Sequence, residues 1–73
     1  MFEQVAEILA NQLGISKDKV TLESEIIKDL GADSLDVFEL LMALQDETGK
    51  TIPDDKITTL KTVGDVVNVL ETL

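Results

Sequence analysis

No cysteine, histidine, tyrosine, tryptophan or arginine occurs in this 73-residue chain, and each absence removes a class of chemistry. Without cysteine there is no disulfide staple and no thiolate metal site. Without histidine the commonest general base and the usual metal ligand are missing. Six lysines stand against fifteen carboxylates, a net charge of −9. Phosphates would be repelled by such a surface, which excludes a nucleic-acid partner and makes a basic protein patch the natural counterpart. Long apolar runs are missing too: the longest, Leu40 to Leu44, is far too short to span a bilayer. The opening Met1-Phe2-Glu3 has neither the basic nor the apolar region of a signal peptide, so the cytosol is the expected compartment. What remains is 44% hydrophobic, too much for a disordered chain, in one domain (residues 1–73) near the lower size limit for a single core.

The apolar spacing predicts helices. Phe2, Val5, Ala6, Leu9 and Leu13 recur at helical intervals, Ile8 widens the stripe, and Gly14 ends it with Ile15 packing back. Residues 15–33 then form a long connection, with Val20 and Leu22 as apolar plugs, Glu23-Ser24-Glu25 solvated, and Ile26, Ile27 and Leu30 as anchors. A connection of that length in so small a chain is often functional. After the breaker cluster Thr48-Gly49-Lys50-Thr51, Ile52-Pro53 leads into a short, weakly held helix. Its Thr58 and Thr59 are poor helix formers. Adjacent Asp54 and Asp55 do not converge on one face, so no metal site follows. Thr62-Val63-Gly64-Asp65 resembles a capping box, and Val63, Val66, Val67, Leu70 and Leu73 make the last stripe. The fold class expected is all-α: a four-helix bundle with three longer helices, a short third one, and a long loop between helices I and II.

Residues 31–47 organise the rest. Gly31 leads into Ser34, and residues 35–48 read as an uninterrupted helix. At about 100° per residue, Val37, Leu40, Leu41, Leu44 and Thr48 share one face. Leu35, Phe38, Glu39, Met42 and Asp46 share a second. A surface helix needs only one apolar stripe, so the second suggests docking.

Catalysis by this chain alone is not expected, and no catalytic residue is assigned. A serine nucleophile needs an adjacent base, and Asp33 and Asp36, beside Ser34, are poor bases for a hydroxyl. Ser34 could itself cap the helix. Yet residue 37 is not Glu or Gln, and Asp33 could cap instead, freeing the hydroxyl at a helix start where a phosphate is favoured.

Leu30-Gly31-Ala32-Asp33-Ser34-Leu35-Asp36, followed by Glu39-Leu40 and Met42-Ala43-Leu44, resembles the acyl carrier proteins of bacterial-type fatty acid synthesis. The similarity also covers the first helical stripe, the long loop, Ile52-Pro53-Asp54 and Thr62-Val63. It implies that a phosphopantetheinyl transferase attaches the 4′-phosphopantetheine of coenzyme A to Ser34, with Asp33 and Leu35 flanking the site. It implies that Leu35, Phe38 and Met42 enter pockets on synthesis enzymes while Asp36, Glu39, Asp46 and Glu47 pair with basic residues there. The same resemblance implies an acyl pocket at Ile26, Ile27, Leu44, Ile52, Ile57 and Leu60, and a monomer. Gln45 replaces an acid common in such proteins. Thr48 and Gly49 stand for an aromatic and a polar residue, so fraying of that helix end is expected. A carrier of polyketide or aminoacyl cargo, or an unmodified acidic interaction module, are the alternatives.

Overall fold

Helices form where the apolar spacing places them. In the computed structural model, which describes residues 1–73, α1 spans Phe2–Leu13, α2 Ser34–Thr48, α3 Asp54–Ile57 and α4 Val63–Thr72. The fold is all-α with four helices, the third a single turn. α1 packs against both α2 and α4. Their inward faces meet in one cluster: Val5, Ala6 and Leu9 from α1, Leu40, Leu41 and Leu44 from α2, and Val63, Val66, Val67 and Leu70 from α4. Val20, Ile26, Ala32 and Ile52 close it from the connections. Valines lose side-chain freedom in a helix, so the complete or near-complete burial of Val63, Val66 and Val67, three of the four in α4, holds that helix in place.

The long connection is bonded to the bundle. Ser16 caps a short 3-10 helix, Lys17–Lys19, and Lys17 forms an exposed ion pair with Glu3 of α1. Further on, the connection docks against the start of α4. The Ile26 N–H donates to the Lys61 carbonyl at 3.0 Å, Val63 N–H to the Ser24 carbonyl at 3.0 Å, and Gly64 N–H to the Leu22 carbonyl at 2.8 Å. The first N–H groups of a helix have no partner within it, so the loop carbonyls supply what α4 lacks. Gly64 permits the approach: a Cβ there would sit 3.0 Å from the Leu22 carbonyl oxygen. This clasp corrects two expectations. Leu22 is largely exposed and contributes its carbonyl rather than a plug. Ser24, expected in a solvated run, is buried, its hydroxyl accepting the Thr21 N–H at 3.1 Å.

The far end of α2 is helical to Thr48 and capped, where a frayed end was expected. Gly49, at φ 72, takes the left-handed conformation that a side chain would strain, and donates to the Gln45 carbonyl. Thr48 Oγ1 donates to the Leu44 carbonyl at 2.7 Å, and the Gln45 side-chain oxygen accepts the Ile52 N–H at 2.8 Å. The residues expected to loosen this end therefore secure it. At the C-terminus Leu73 is exposed and lies beyond the core stripe.

The capping box expected at Thr62 is present. Asp65 N–H donates to Thr62 Oγ1 at 3.1 Å, and Asp65 Oδ2 accepts N–H groups of Thr62 and Lys61, each at 3.0 Å. Those two backbone donors hold the Asp65 carboxyl below its usual range. A lowered folded pKa means that the stabilisation is complete above the ordinary carboxylate range near pH 4 and is lost as pH falls through the folded value. The stability gap between the wild type and Asp65→Asn, measured by urea unfolding, should therefore shrink between pH 5 and pH 2.

The six carboxylates Glu23, Glu25, Asp29, Asp33, Asp36 and Glu39 crowd one stretch with only Lys28 among them. Self-repulsion in that stretch should lower the melting temperature at low salt, and salt or millimolar magnesium should raise it. A melting temperature indifferent to both would exclude this effect.

Candidate functional site

Three short-range constraints set the approach to α2. Gly31 turns the chain at φ 77, a left-handed value that disfavours any side chain. Ala32 is buried and fixes the depth of the segment. Asp33 is extended, at φ −104 and ψ −177, and is the N-cap.

The cap answers the question the spacing left open. Asp36 N–H donates to Asp33 Oδ1 at 2.9 Å, and Asp33 N–H donates to Asp36 Oδ2 at 3.1 Å. Val37 N–H donates to the Asp33 carbonyl at 3.1 Å. The helix therefore starts one residue earlier than residue 35, with Ser34 as its first helical residue rather than its cap. The Ser34 hydroxyl is exposed and has no hydrogen-bond partner in the chain, and the N–H groups of Ser34 and Leu35 are also free. A nucleophilic oxygen thus stands beside two unpaired donors at the positive end of a 15-residue helix. Gln12, reaching from α1, donates its side-chain N–H to the Asp36 carbonyl and fixes this first turn against the bundle. The signal in the sequence was a glutamine spaced three, four and seven residues after Leu9, Ile8 and Val5, on an apolar helix face.

A cavity of about 260 Å³ opens beside the hydroxyl, lined by Ser34, Ile27, Val37, Phe38, Ile57 and Leu60. Of the residues expected to form an apolar pocket, Ile27, Ile57 and Leu60 meet here. Ile26 lines an adjoining groove, whereas Leu44 and Ile52 are buried in the core and line neither. Val37, grouped with the core face, lines both spaces. Its position three residues after Ser34 brings it to the same side of the helix.

On the outer face of α2, Leu35, Phe38 and Met42 remain 64%, 53% and 54% exposed. Glu39, Asp46 and Glu47 are exposed beside them, and Asp36 is partly withdrawn by its role in the cap. These large apolar groups lie outside the core, on one helix face rimmed by like charge. The second stripe of the helix wheel is therefore present as expected.

Comparison with known proteins agrees with this geometry. Residues 3–70 match the family described as the phosphopantetheine attachment site, a class of carrier domain. An acyl carrier protein from Clostridium perfringens is 50% identical over 70 residues, covering 96% of this chain and 92% of that protein. One from Helicobacter acinonychis is 48% identical over 71 residues, covering 97% and 91%. The structure of a putative acyl carrier protein from Mycobacterium tuberculosis shares the fold with a TM-score of 0.90 at 30% identity, over 97% of this chain and 95% of that one. The chain belongs to the acyl carrier protein family and bears phosphopantetheine as its cofactor.

If Asp33 is the cap, removing the Ser34 hydroxyl costs the fold nothing. Ser34→Ala should unfold within about 0.5 kcal/mol of the wild type, and Asp33→Ala should lose about 1 kcal/mol. Urea unfolding in 1 M salt, where charge repulsion is screened, separates the two. The reverse order would return the cap to Ser34.

Proposed function

We propose that Ser34 is the point at which phosphopantetheine is attached, and that residues 1–73 act as one acyl-carrier domain in fatty acid synthesis. The observation that carries this is the Ser34 hydroxyl, exposed and unbonded beside free N–H groups and an apolar cavity. A transferase has unhindered access to this oxygen. Ser34 Oγ would attack the phosphorus that bears the pantetheine in coenzyme A, forming the phosphodiester while the phosphoanhydride bond breaks and adenosine 3′,5′-bisphosphate leaves; the hydroxyl proton passes to a base of the transferase. The free N–H groups of Ser34 and Leu35 then face a phosphate that they favour. The attached group supplies a terminal thiol, which this cysteine-free chain lacks, and holds the acyl cargo as a thioester. No residue of the chain is asked to catalyse anything: the protein is a carrier and a substrate, not an enzyme.

The outer face of α2 serves delivery. Leu35, Phe38 and Met42 offer apolar anchors to shallow pockets of partner enzymes, and Asp36, Glu39, Asp46 and Glu47 steer basic patches onto them. Rim charges of this kind accelerate encounter and set orientation more than they tighten the complex, which suits a shuttle that must leave each partner. The cavity bounded by Ile27, Val37, Ile57 and Leu60 shelters the cargo between visits. α3 buries none of its residues fully, so its wall of the cavity can move aside. The protein works as a cytoplasmic monomer.

Incubation with coenzyme A and a phosphopantetheinyl transferase should add one phosphopantetheinyl mass to the wild type and none to Ser34→Ala. Modification of the Ala variant would overturn the assignment. Cargo that enters the cavity stabilises the folded state alone. The octanoyl form should therefore melt above the form bearing the unacylated arm, and equal melting temperatures would place the cargo outside.

A further inference from the structure

The cavity beside Ser34 does not end in the hydrocarbon core. Three of its lining residues, Ile27, Val37 and Leu60, also line a second space of about 230 Å³, so the two adjoin along that side of α2. The first space has only Ser34 as a polar wall. The second is different: besides Ile26 it is bounded by Glu25, Lys28 and Lys61. Two of the six lysines in a chain of net charge −9 thus border one groove. Lys61 sits 3.5 Å from Glu25, a long contact that only partly neutralises it, and Lys28 has no ion-pair partner. The clasp between the long connection and α4 keeps these groups together, because the Ile26 N–H is bonded to the Lys61 carbonyl.

We propose that this second space is a subsite for the far end of an acyl chain that terminates in a carboxylate, held by Lys28 and Lys61. The inference rests on attachment at Ser34 and extends it to the class of cargo. The polarity along the groove runs in the order such a chain requires. Ser34 borders only the first space, Ile27, Val37 and Leu60 line both, and Lys28 and Lys61 border only the second, so a chain that enters from the arm beside Ser34 meets apolar walls before the lysines. A purely aliphatic chain gains nothing from the lysines. A dicarboxylic monothioester of matching length places its free carboxylate where the charges are complementary, and it reaches that point without burying the carboxylate, because both lysines are exposed. Glu25 is the one opposing charge on the groove, and its engagement with Lys61 reduces its repulsion.

The test compares two cargoes of equal length on Ser34, octanoyl and suberoyl, the latter labelled with carbon-13 at its free carboxyl. Mass spectrometry first establishes that each is loaded. Solvent-screened ion pairs at a rim are weak, so the suberoyl carboxylate should titrate about half a pH unit below that of the same thioester on free pantetheine. The shift should vanish in Lys28→Gln/Lys61→Gln and fade in 1 M salt. Side-chain resonances of both lysines should move with suberoyl and stay in place with octanoyl. A carboxylate that titrates as in the free thioester, on a protein correctly loaded at Ser34, overturns the subsite and leaves the attachment reading intact. Failure of Ser34 to accept either cargo overturns both.

Discussion

Everything functional in this structure depends on which residue satisfies the first free N–H groups of α2. A helix that starts at the surface must find acceptors for them, and the nearest side chain usually provides one. Here Asp33 and Asp36 satisfy each other's backbone in a closed pair, at 2.9 and 3.1 Å, and the serine between them is left with nothing to do structurally. A hydroxyl in that position is exposed and lies beside donors suited to an anion. The cap thus separates stability from the free hydroxyl: Asp33 and Asp36 close the helix start on each other, and the Ser34 oxygen between them makes no bond that the cap needs.

The same division runs through the rest of the chain. The bundle is held by α1, α2 and α4, whose inward faces are sealed, and by the clasp in which loop carbonyls take the free N–H groups of α4. None of these contacts involves the outer face of α2. Leu35, Phe38 and Met42 therefore remain exposed at no cost to the core, and the weak third helix borders the cavity without supporting the bundle. In a chain so short, there is little core to spare. The one single-turn helix buries none of its residues fully, so the core is built without it.

Much of this was legible from the amino-acid order. The helical stripes of α1, α2 and α4 follow directly from apolar spacing, Gly14 and Gly49 mark helix ends, and Thr62 with Asp65 announces its own cap. The second stripe of α2 was visible because it is apolar where a surface helix should be polar. What spacing did not reveal were contacts made by backbone. Leu22 reads as a plug by side chain, yet its carbonyl is what the fold uses. Ser24 reads as solvated by its neighbours, yet it is buried by a pairing between residues far apart in the chain. Thr48 and Gly49 look like a loosened helix end when taken as departures from a family, but each makes a specific bond there, and the Gln45 side chain adds another. Val37 packs against the core as helical spacing implies, but spacing gives direction without depth, and the residue also lines both cavities.

The measurement closest to the central claim is the hydrogen-bond partner of the Asp36 amide. In protein labelled with nitrogen-15 and carbon-13, a through-hydrogen-bond coupling should connect the Asp36 amide nitrogen to the Asp33 side-chain carboxyl carbon. The Ser34 hydroxyl proton should meanwhile exchange with water too fast to be observed. A slowly exchanging Ser34 hydroxyl, with no coupling between Asp36 and Asp33, would show that the serine is the cap. The free oxygen on which the carrier function is built would then not exist.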